Sequence, residues 1–512
     1  MVRNIILSLL LLLTVSYNNL FSVKATFPHN KQIVAYYPNW QWYRRNNLVN
    51  PESIIYEKYT VINYAFFRPM SSGHIVSTDE WADENLLLGP KVWWPEEYND
   101  YSKSLPYLAE QGGIVLLPSI GGWNDSSNFP LISADPIKRE IFINDCINLI
   151  QTYNFKGIDL DWEYPGYAPH NGSENDIENF TLLVQELRFA LDELEILNSQ
   201  DYLLTSCFGA SYSHMANIDW ENIVPYLDMI NLMTYDFYGS WDELSNHHTP
   251  LYPTLNGDAD WCVDGAFSLL TQNFNVPTEK INIGLAFYGK ALANCTQLNG
   301  SHTGYDSVNF PSDQGQPHYY TIMENISDFD YYWDDSVKSP YLLSNTLNTF
   351  VTYDDTTSIR YKAEYIMSNN AMGALIWELT GDYTESFSGS GIISETPLVD
   401  KVIETYQNWD ETNIFQEDNS LPDFMFSVYP NPFKDKTNIE LTLKTNTNLN
   451  ISVYNIKGQL VRKISDKSLS KGNYSFSWDG KDFNNMQVSN GIYLIKLKYD
   501  SYSKILKTIR MK

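Results

Sequence analysis

Basic residues are scarce in this chain: 34 Lys+Arg stand against 62 Asp+Glu in 512 residues, a formal net charge of −28. That excludes a protein that grips nucleic acid over its whole surface, since such binding rests on neutralising phosphates. Charged residues of either sign make up only 19%, while 43% are hydrophobic and 15% aromatic, which excludes disordered and fibrous chains. Cysteine is nearly absent. Cys146, Cys207, Cys262 and Cys295 are too few to frame a fold of this size, and four cysteines permit three full pairings. Cys146 and Cys207 lie in apolar stretches and are expected as buried thiols, and Cys262–Cys295 is a candidate bridge. No CxxC or Cys/His cluster occurs, so neither a metal nor a cofactor is expected. His247-His248 is expected as a solvated loop pair rather than a ligand set.

Long apolar runs are also missing after the N-terminus. There, Arg3, the run 5–15 and the small residues around Val23-Lys24-Ala25 have the order of an export signal, expected over 1–25 with Thr26 first in the mature chain. The run is shorter than the roughly 20 residues needed to span a bilayer. Charge is unevenly spread: residues 424–512 hold 15 Lys+Arg and 6 Asp+Glu, net +9, leaving 19 and 56, net −37, for residues 1–423. The break predicts two units.

What is present is alternation. β-rich runs recur at 33–37, 61–67, 114–120, 157–161, 203–208, 229–234, 281–287 and 374–377, with helical spacing between several of them, as at 136–153 and 177–197. Strands alternating with helices predict a parallel sheet covered by helices, and eight such units predict an α/β fold of the (β/α)8 barrel type. An open doubly wound sheet is the alternative, but no Gly-rich phosphate loop follows the first strand. The long stretch 291–362 between strands seven and eight is rich in Tyr and Trp, and is expected as a small inserted α+β lobe walling a cleft.

The run Phe155-Lys156-Gly157-Ile158-Asp159-Leu160-Asp161-Trp162-Glu163-Tyr164-Pro165 carries the chemistry. Alternate residues of a strand share a face, so Asp159, Asp161 and Glu163 point one way and Ile158, Leu160 and Trp162 the other. Three carboxylates on one face of an apolar strand repel one another and are poorly solvated, so at least one should hold a proton near neutral pH. A carboxylic acid at the carboxyl end of a barrel strand is placed for general acid catalysis. A cation-paired cluster or a calcium site is the bland reading, but no basic cluster matches it and the spacing is not that of a calcium loop.

At these residues the chain resembles glycoside hydrolase family 18, the chitinase family whose fourth-strand signature is D-x-x-D-x-D-x-E. The last three acids match as Asp159, Asp161 and Glu163, and Lys156 stands where the first Asp is usual, a change expected to alter the charge under the site. Ser119-Ile120-Gly121-Gly122-Trp123, Met233-Thr234-Tyr235-Asp236, the run ending Phe287-Tyr288-Gly289-Lys290 (Lys290 where Arg is usual) and Ala374-Leu375-Ile376-Trp377 resemble its third-, sixth-, seventh- and eighth-strand motifs. Tyr331-Tyr332-Trp333-Asp334-Asp335 and Thr352-Tyr353-Asp354-Asp355 resemble its inserted lobe. The resemblance implies a retaining chitinase in which the substrate's own N-acetyl group is the nucleophile. It implies catalytic roles for Glu163, Asp161, Asp159 and Tyr235. It implies substrate contacts from Tyr36, Phe66, Gly122, Trp123, Tyr164, Met233, Asp236, Tyr288 and Trp377, with Trp40 evenly balanced between pocket and core. An endo-β-N-acetylglucosaminidase acting on glycoprotein glycans and a non-catalytic chitin-binding lectin are the rivals. The lobe disfavours the first and the presence of Glu163 the second.

The stretch 408–423 is polar and acidic and is expected as a linker. Beyond it, alternating runs at 437–444, 450–455, 459–464, 474–478 and 491–499 predict an all-β sandwich. Tyr429-Pro430-Asn431-Pro432-Phe433, the run 453–459, Asn490-Gly491-Ile492-Tyr493-Leu494 and the closing Lys507-Thr508-Ile509-Arg510-Met511-Lys512 resemble the C-terminal sorting domain of type IX secretion cargo. That resemblance implies a protein exported by a Gram-negative bacterium, secreted or attached to the cell surface, with the type IX machinery and chitin or N-acetylglucosamine oligomers as partners. A monomer that binds no nucleic acid is expected. With that source, the Asn-x-Ser/Thr triplets at Asn124, Asn179 and Asn294 are not read as glycan acceptors. A carbohydrate-binding sandwich is the alternative for the tail, but Trp478 is its one tryptophan.

Overall fold

The computed structural model describes residues 27–409, apart from 256 and 313, and 424–511, apart from 444–446, 456–458 and 500–501. The expected export signal, 1–25, and most of the expected linker, 410–423, lie outside the described residues. The chain divides into two compact units, Met1–Trp409 and Asp410–Lys512.

In the first unit eight strands run parallel: β1 (Gln32–Pro38), β2 (Val61–Pro69), β3 (Val115–Gly121), β4 (Gly157–Asp161), β5 (Leu203–Gly209), β6 (Met229–Met233), β7 (Ile281–Ala286) and β8 (Gly373–Trp377). Each pairs with its neighbour, and β1 pairs with both β2 and β8, so the sheet closes into a barrel. Closure removes the sheet edges. The eight expected runs are these strands, with ends that differ by at most two residues.

Period-two alternation sorts each strand between two cores. Ile158, Leu160 and Trp162 join the outer cluster between strands and helices. Val34, Tyr36, Leu117, Cys207 and Leu375 form the cluster inside the barrel. Helices α1 (Pro136–Tyr153) and α2 (Asp176–Asn198) cover β4 on the outside. Asp135 caps α1 through the N–H groups of Ile137 and Lys138. Arg139 then forks onto both carboxylate oxygens of Glu186 at 2.8 Å, tying α1 to α2.

Between β7 and β8 the strands Lys290–Ala293, Thr349–Thr352, Ser339–Ser344 and Asp330–Asp334 form an antiparallel sheet in that order, joined by the short helix Tyr319–Glu324. The sheet ends at Thr352, and α3 (Thr356–Ser368), which begins inside the stretch expected as lobe, is the crossover helix into β8. Asp355 and Ser358 cap α3 reciprocally, which fixes that boundary. Helix α4 (Pro397–Gln407) closes the unit, its first N–H groups received by the buried Asp382.

The second unit holds a three-stranded sheet (Phe424–Tyr429, Thr437–Leu443, Gly472–Trp478) and a four-stranded one (Leu460–Leu469, Thr447–Asn455, Gly491–Tyr499, Tyr502–Arg510). Both contribute to one core containing Ile439, Leu441, Ile451, Val453, Trp478 and Ile495. The sequence reading found five of these seven strands. Phe424–Tyr429 lies within the stretch expected as the second unit but carries no strand expectation of its own, and Tyr502–Arg510 lacks clean alternation.

Two expectations are corrected. Cys262 and Cys295 do not bridge; all four cysteines are free and buried. Cys262 sits at a helix start, where its sulfur accepts the Gly265 N–H at 3.2 Å. Cys295 packs in a separate small cluster in the lobe with Leu292 and Phe350. His247 and His248 are not solvated: both are wholly buried where the loop after β6 meets the lobe.

Gly157 opens β4 at φ +142°, and a Cβ there would lie 2.0 Å from the Leu203 carbonyl oxygen on β5. Gly157→Ala should therefore cost about 2–4 kcal/mol, read as a lowered midpoint in urea unfolding. A midpoint equal to wild type would show that β4 and β5 separate without penalty.

Candidate active site

The carboxyl ends of the strands gather the residues singled out in the sequence. Tyr36, Phe66, Met233, Tyr164, Tyr235 and Trp377 belong to one contiguous cluster inside the barrel. Trp377 stacks on Phe66 at 5.9 Å and meets Tyr36 at 5.3 Å. Tyr288 meets Tyr235 edge-on at 6.2 Å. Trp123, half exposed, stands 6.5 Å from Tyr164. Trp40 is 41% exposed and approaches Phe66 at 6.1 Å. The peptide bonds Ala65–Phe66, Glu163–Tyr164 and Trp377–Glu378 are cis, all on this side of the barrel.

Asp159 is wholly buried in the barrel. Its Oδ2 accepts from the Tyr36 hydroxyl at 2.5 Å and the Ser119 hydroxyl at 2.7 Å. Its Oδ1 accepts from Thr205 at 2.5 Å and Asn231 Nδ2 at 3.4 Å. Parallel register makes this possible, because Ser119, Asp159 and Thr205 lie opposite one another on β3, β4 and β5. Burial raises the Asp159 pKa, and the donated bonds pull it back.

Asp161, two residues along the same face, is also buried, and its Oδ1 has no hydrogen-bond partner. Burial first, then the charges of Glu163 and Asp159, push it well above the carboxylate range. Half-buried Glu163 is raised to about 7, chiefly by burial, with the Asp236 charge adding and bonds from Tyr164 and the Trp123 backbone opposing. The sequence expectation of a proton held by this row rests on the same two causes.

The backbone around Glu163 is held from β3. Gly121 and Gly122 both adopt positive φ, and a Cβ on Gly122 would lie 2.7 Å from the Phe66 ring. Gly122 N–H donates to the Asp161 carbonyl at 2.8 Å. Ser126 Oγ donates to the Gly122 carbonyl at 2.8 Å and accepts the Glu163 N–H at 2.9 Å. His170 Nδ1 lies 2.6 Å from the Glu163 carbonyl and its ring is 4.7 Å from Trp123. Sequence reasoning missed Ser126, Thr205 and Asn231, because each acts across tens of residues, and His170, 7 residues past the Glu163 carbonyl it meets, because it stands in no recognisable spacing.

After β6, Asp236 takes φ +59°, receives the Tyr288 hydroxyl, and pairs with Lys290 Nζ at 2.9 Å. Burial pushes its carboxyl up, but Lys290, His248 and Tyr288 together outweigh this and hold it well below the ordinary range. Lys156 does not bear on the site. Its ammonium bonds Asn154 at 2.7 Å and faces Gln200 and Glu110 at the opposite end of β4, so the expected change of charge under the acids is not realised. Among the described residues no group of three or more His, Cys, Asp or Glu is arranged to hold a metal.

Glu163 carries a linkage consequence. Its pKa is about 7 when folded against an ordinary 4.5, so the folded chain keeps a proton that the unfolded chain loses as pH rises from about 4.5 to 7. Stability contributed by this group is lost over that window and stays lost above it. Glu163→Gln should therefore be more stable than wild type at pH 8 by about 1–2 kcal/mol once partial exposure is allowed for, read as a higher thermal midpoint, with the gap closing by pH 4.5. A gap independent of pH would contradict the raised pKa.

A family model described as Glycosyl hydrolases family 18 matches residues 32–382, and one described as FlgD Ig-like domain matches residues 431–503. The chain is 32% identical to Chitinase A1 of Niallia circulans over 426 residues, 73% of this chain and 60% of that protein, so it spans about three fifths of that relative's length. Its fold is similar to chitinase ChiA74 from Bacillus thuringiensis (TM-score 0.65, 26% identity, covering 94% of this chain and 84% of that one). It is equally similar to a mutant of catalytic domain 2 of the Ostrinia furnacalis Group II chitinase, solved in complex with penta-N-acetylchitooctaose (TM-score 0.65, 26% identity, 74% and 97% covered). Over its barrel, which carries three acids on β4 and its following turn, the chain belongs to glycosyl hydrolase family 18.

Proposed function

We propose that the protein is a secreted, retaining chitinase that cleaves β-1,4 links between N-acetylglucosamine units. The observation that carries this is Asp161: a buried carboxyl with one oxygen unpartnered, set between the hydrogen-bonded Asp159 and the protonated Glu163. An unpartnered buried acceptor calls for a donor from the ligand, and an acetamido N–H is such a donor.

In this reading Glu163 gives its proton to the glycosidic oxygen as the bond to the anomeric carbon breaks. The acetamide carbonyl oxygen attacks that carbon from the other face and closes an oxazolinium ion. Asp161 accepts the acetamido N–H and offsets the positive charge that forms. Tyr235, whose hydroxyl burial holds protonated, donates to the acetamide oxygen. Water then opens the ring, deprotonated by the Glu163 carboxylate, and the configuration is retained. Asp161 feels the charge of Glu163 first and of Asp159 second, so the row of acids titrates together through the cycle. Sugar faces lie on the aromatic rings, among them Trp377 and the more exposed Trp123 and Trp40. A glucose polymer has no acetamide and so no nucleophile.

For the second unit we read a type IX sorting domain on the motifs at 429–433, 453–459 and 490–494. Trp478, wholly buried in the sandwich core, offers no ring for stacking on a sugar.

On N-acetylglucosamine oligomers Glu163→Gln should lose about 10²–10⁴ of turnover while still binding them. For wild type, kcat/KM should fall as pH rises above about 7, where the acid loses its proton. Turnover surviving in Glu163→Gln would remove Glu163 from the role of acid. Cleavage of a biantennary glycopeptide in preference to the oligomers would favour the endo-β-N-acetylglucosaminidase reading.

A further inference from the structure

Lys362 on α3 and Asp354, just past the lobe's last strand, form an ion pair of 2.6 Å with both side chains at 0% exposure. Burying two charges is costly, and apolar replacements of similar volume are often as stable, so such a pair is poorly explained by stability alone. What an apolar pair could not supply is direction. Lys362 Nζ also donates to Thr249 Oγ1 at 2.7 Å, and Thr249 Oγ1 donates to the Thr234 carbonyl at 2.8 Å. Thr234 immediately precedes Tyr235. The same loop is pinned on its other side, where the His248 N–H reaches Thr352 Oγ1 at 3.1 Å and the Phe237 N–H reaches the His248 carbonyl at 3.0 Å. Ser358 Oγ donates to the second oxygen of Asp354 at 2.7 Å, so the anion is held from both sides.

We propose that Lys362, oriented by Asp354 and acting through Thr249, is a positioning residue for Tyr235: it fixes the end of β6 so that the tyrosine hydroxyl stands where the acetamide oxygen turns into the oxazolinium ring. The inference rests on the chitinase reading above. It links the root of the inserted lobe to the pocket that activates the nucleophile, since the ion pair bridges α3, the lobe's exit and the loop after β6.

The test separates geometry from stability. Thr249→Val removes the relaying hydroxyl and leaves the ion pair in place. Lys362→Met with Asp354→Leu removes both charges together, so no uncompensated ion is left buried. The full chain is measured for kcat and KM on N-acetylglucosamine tetramer, for affinity toward a thiazoline inhibitor that mimics the bicyclic ion, and for thermal midpoint. Misplacement by about 1 Å costs up to roughly 10²-fold. Both variants should therefore lose about tenfold or more in kcat and comparably in thiazoline affinity, with KM moving less than about twofold and the double variant's midpoint near wild type. Wild-type kcat per folded molecule in Thr249→Val overturns the proposal and leaves a structural latch. Should the double variant not fold, Thr249→Val decides alone. Wild type that neither turns over the tetramer nor binds the thiazoline overturns the chitinase reading, and this inference with it.

Discussion

A carboxylate at the centre of a closed, largely apolar barrel is the constraint from which the site follows. Asp159 is shut off from bulk solvent, so the barrel supplies donors: Tyr36 from β1, Ser119 from β3, Thr205 from β5 and Asn231 from β6. Four strands thus give up inward positions that would otherwise be filled by Val, Leu or Ile. Their parallel register is what brings distant hydroxyls to the level of Asp159. With Asp159 saturated by protein, Asp161 is the carboxyl left with an open oxygen, and Glu163 the one that reaches the surface. The order of the three acids along β4 and the turn after it is therefore an order of solvation.

That gradient works only if the backbone carrying it is rigid. Two glycines at positive φ bring the turn after β3 against β4, close enough for a main-chain bond from Gly122 to Asp161. Ser126 converts the closeness into a clamp, donating to that turn and accepting the N–H of Glu163. His170 holds the carbonyl of the same residue. The acid's backbone is bonded at both ends, so its raised pKa belongs to one defined position.

Much of this was legible in the sequence and some was not, for physical reasons. Strand alternation fixed which acids share a face, since the period-two rule needs only neighbours. Barrel strands buried on both faces read as continuous apolar runs, and their limits fell within two residues of those observed. What escaped were interactions without a local period. Thr205 reaches Asp159 across 46 residues and Ser126 reaches Glu163 across 37. The His247-His248 loop looked solvated because nothing nearby in sequence announces the lobe that covers it. Cys262 and Cys295 looked pairable because spacing says nothing of where each packs, Cys262 at a helix start and Cys295 in a small cluster of the lobe.

Lys290 shows how a departure from the family pattern is absorbed. A guanidinium carries five donors in a fixed fork, whereas an ammonium carries three on one compact atom. Here Lys290 Nζ, almost wholly buried, finds Asp236 at 2.9 Å, Gln316 at 3.0 Å and Tyr305 at 3.2 Å, one acceptor for each proton. Two of those three acceptors, Gln316 and Tyr305, come from the inserted lobe, so the lobe is matched to lysine as well as walling the cleft. The match keeps Asp236 ionised, and a fixed negative charge beside Glu163 helps to hold a proton on the acid. The cation that looks like a conservative replacement thus acts on the acid at one remove, through the charge it preserves on its partner.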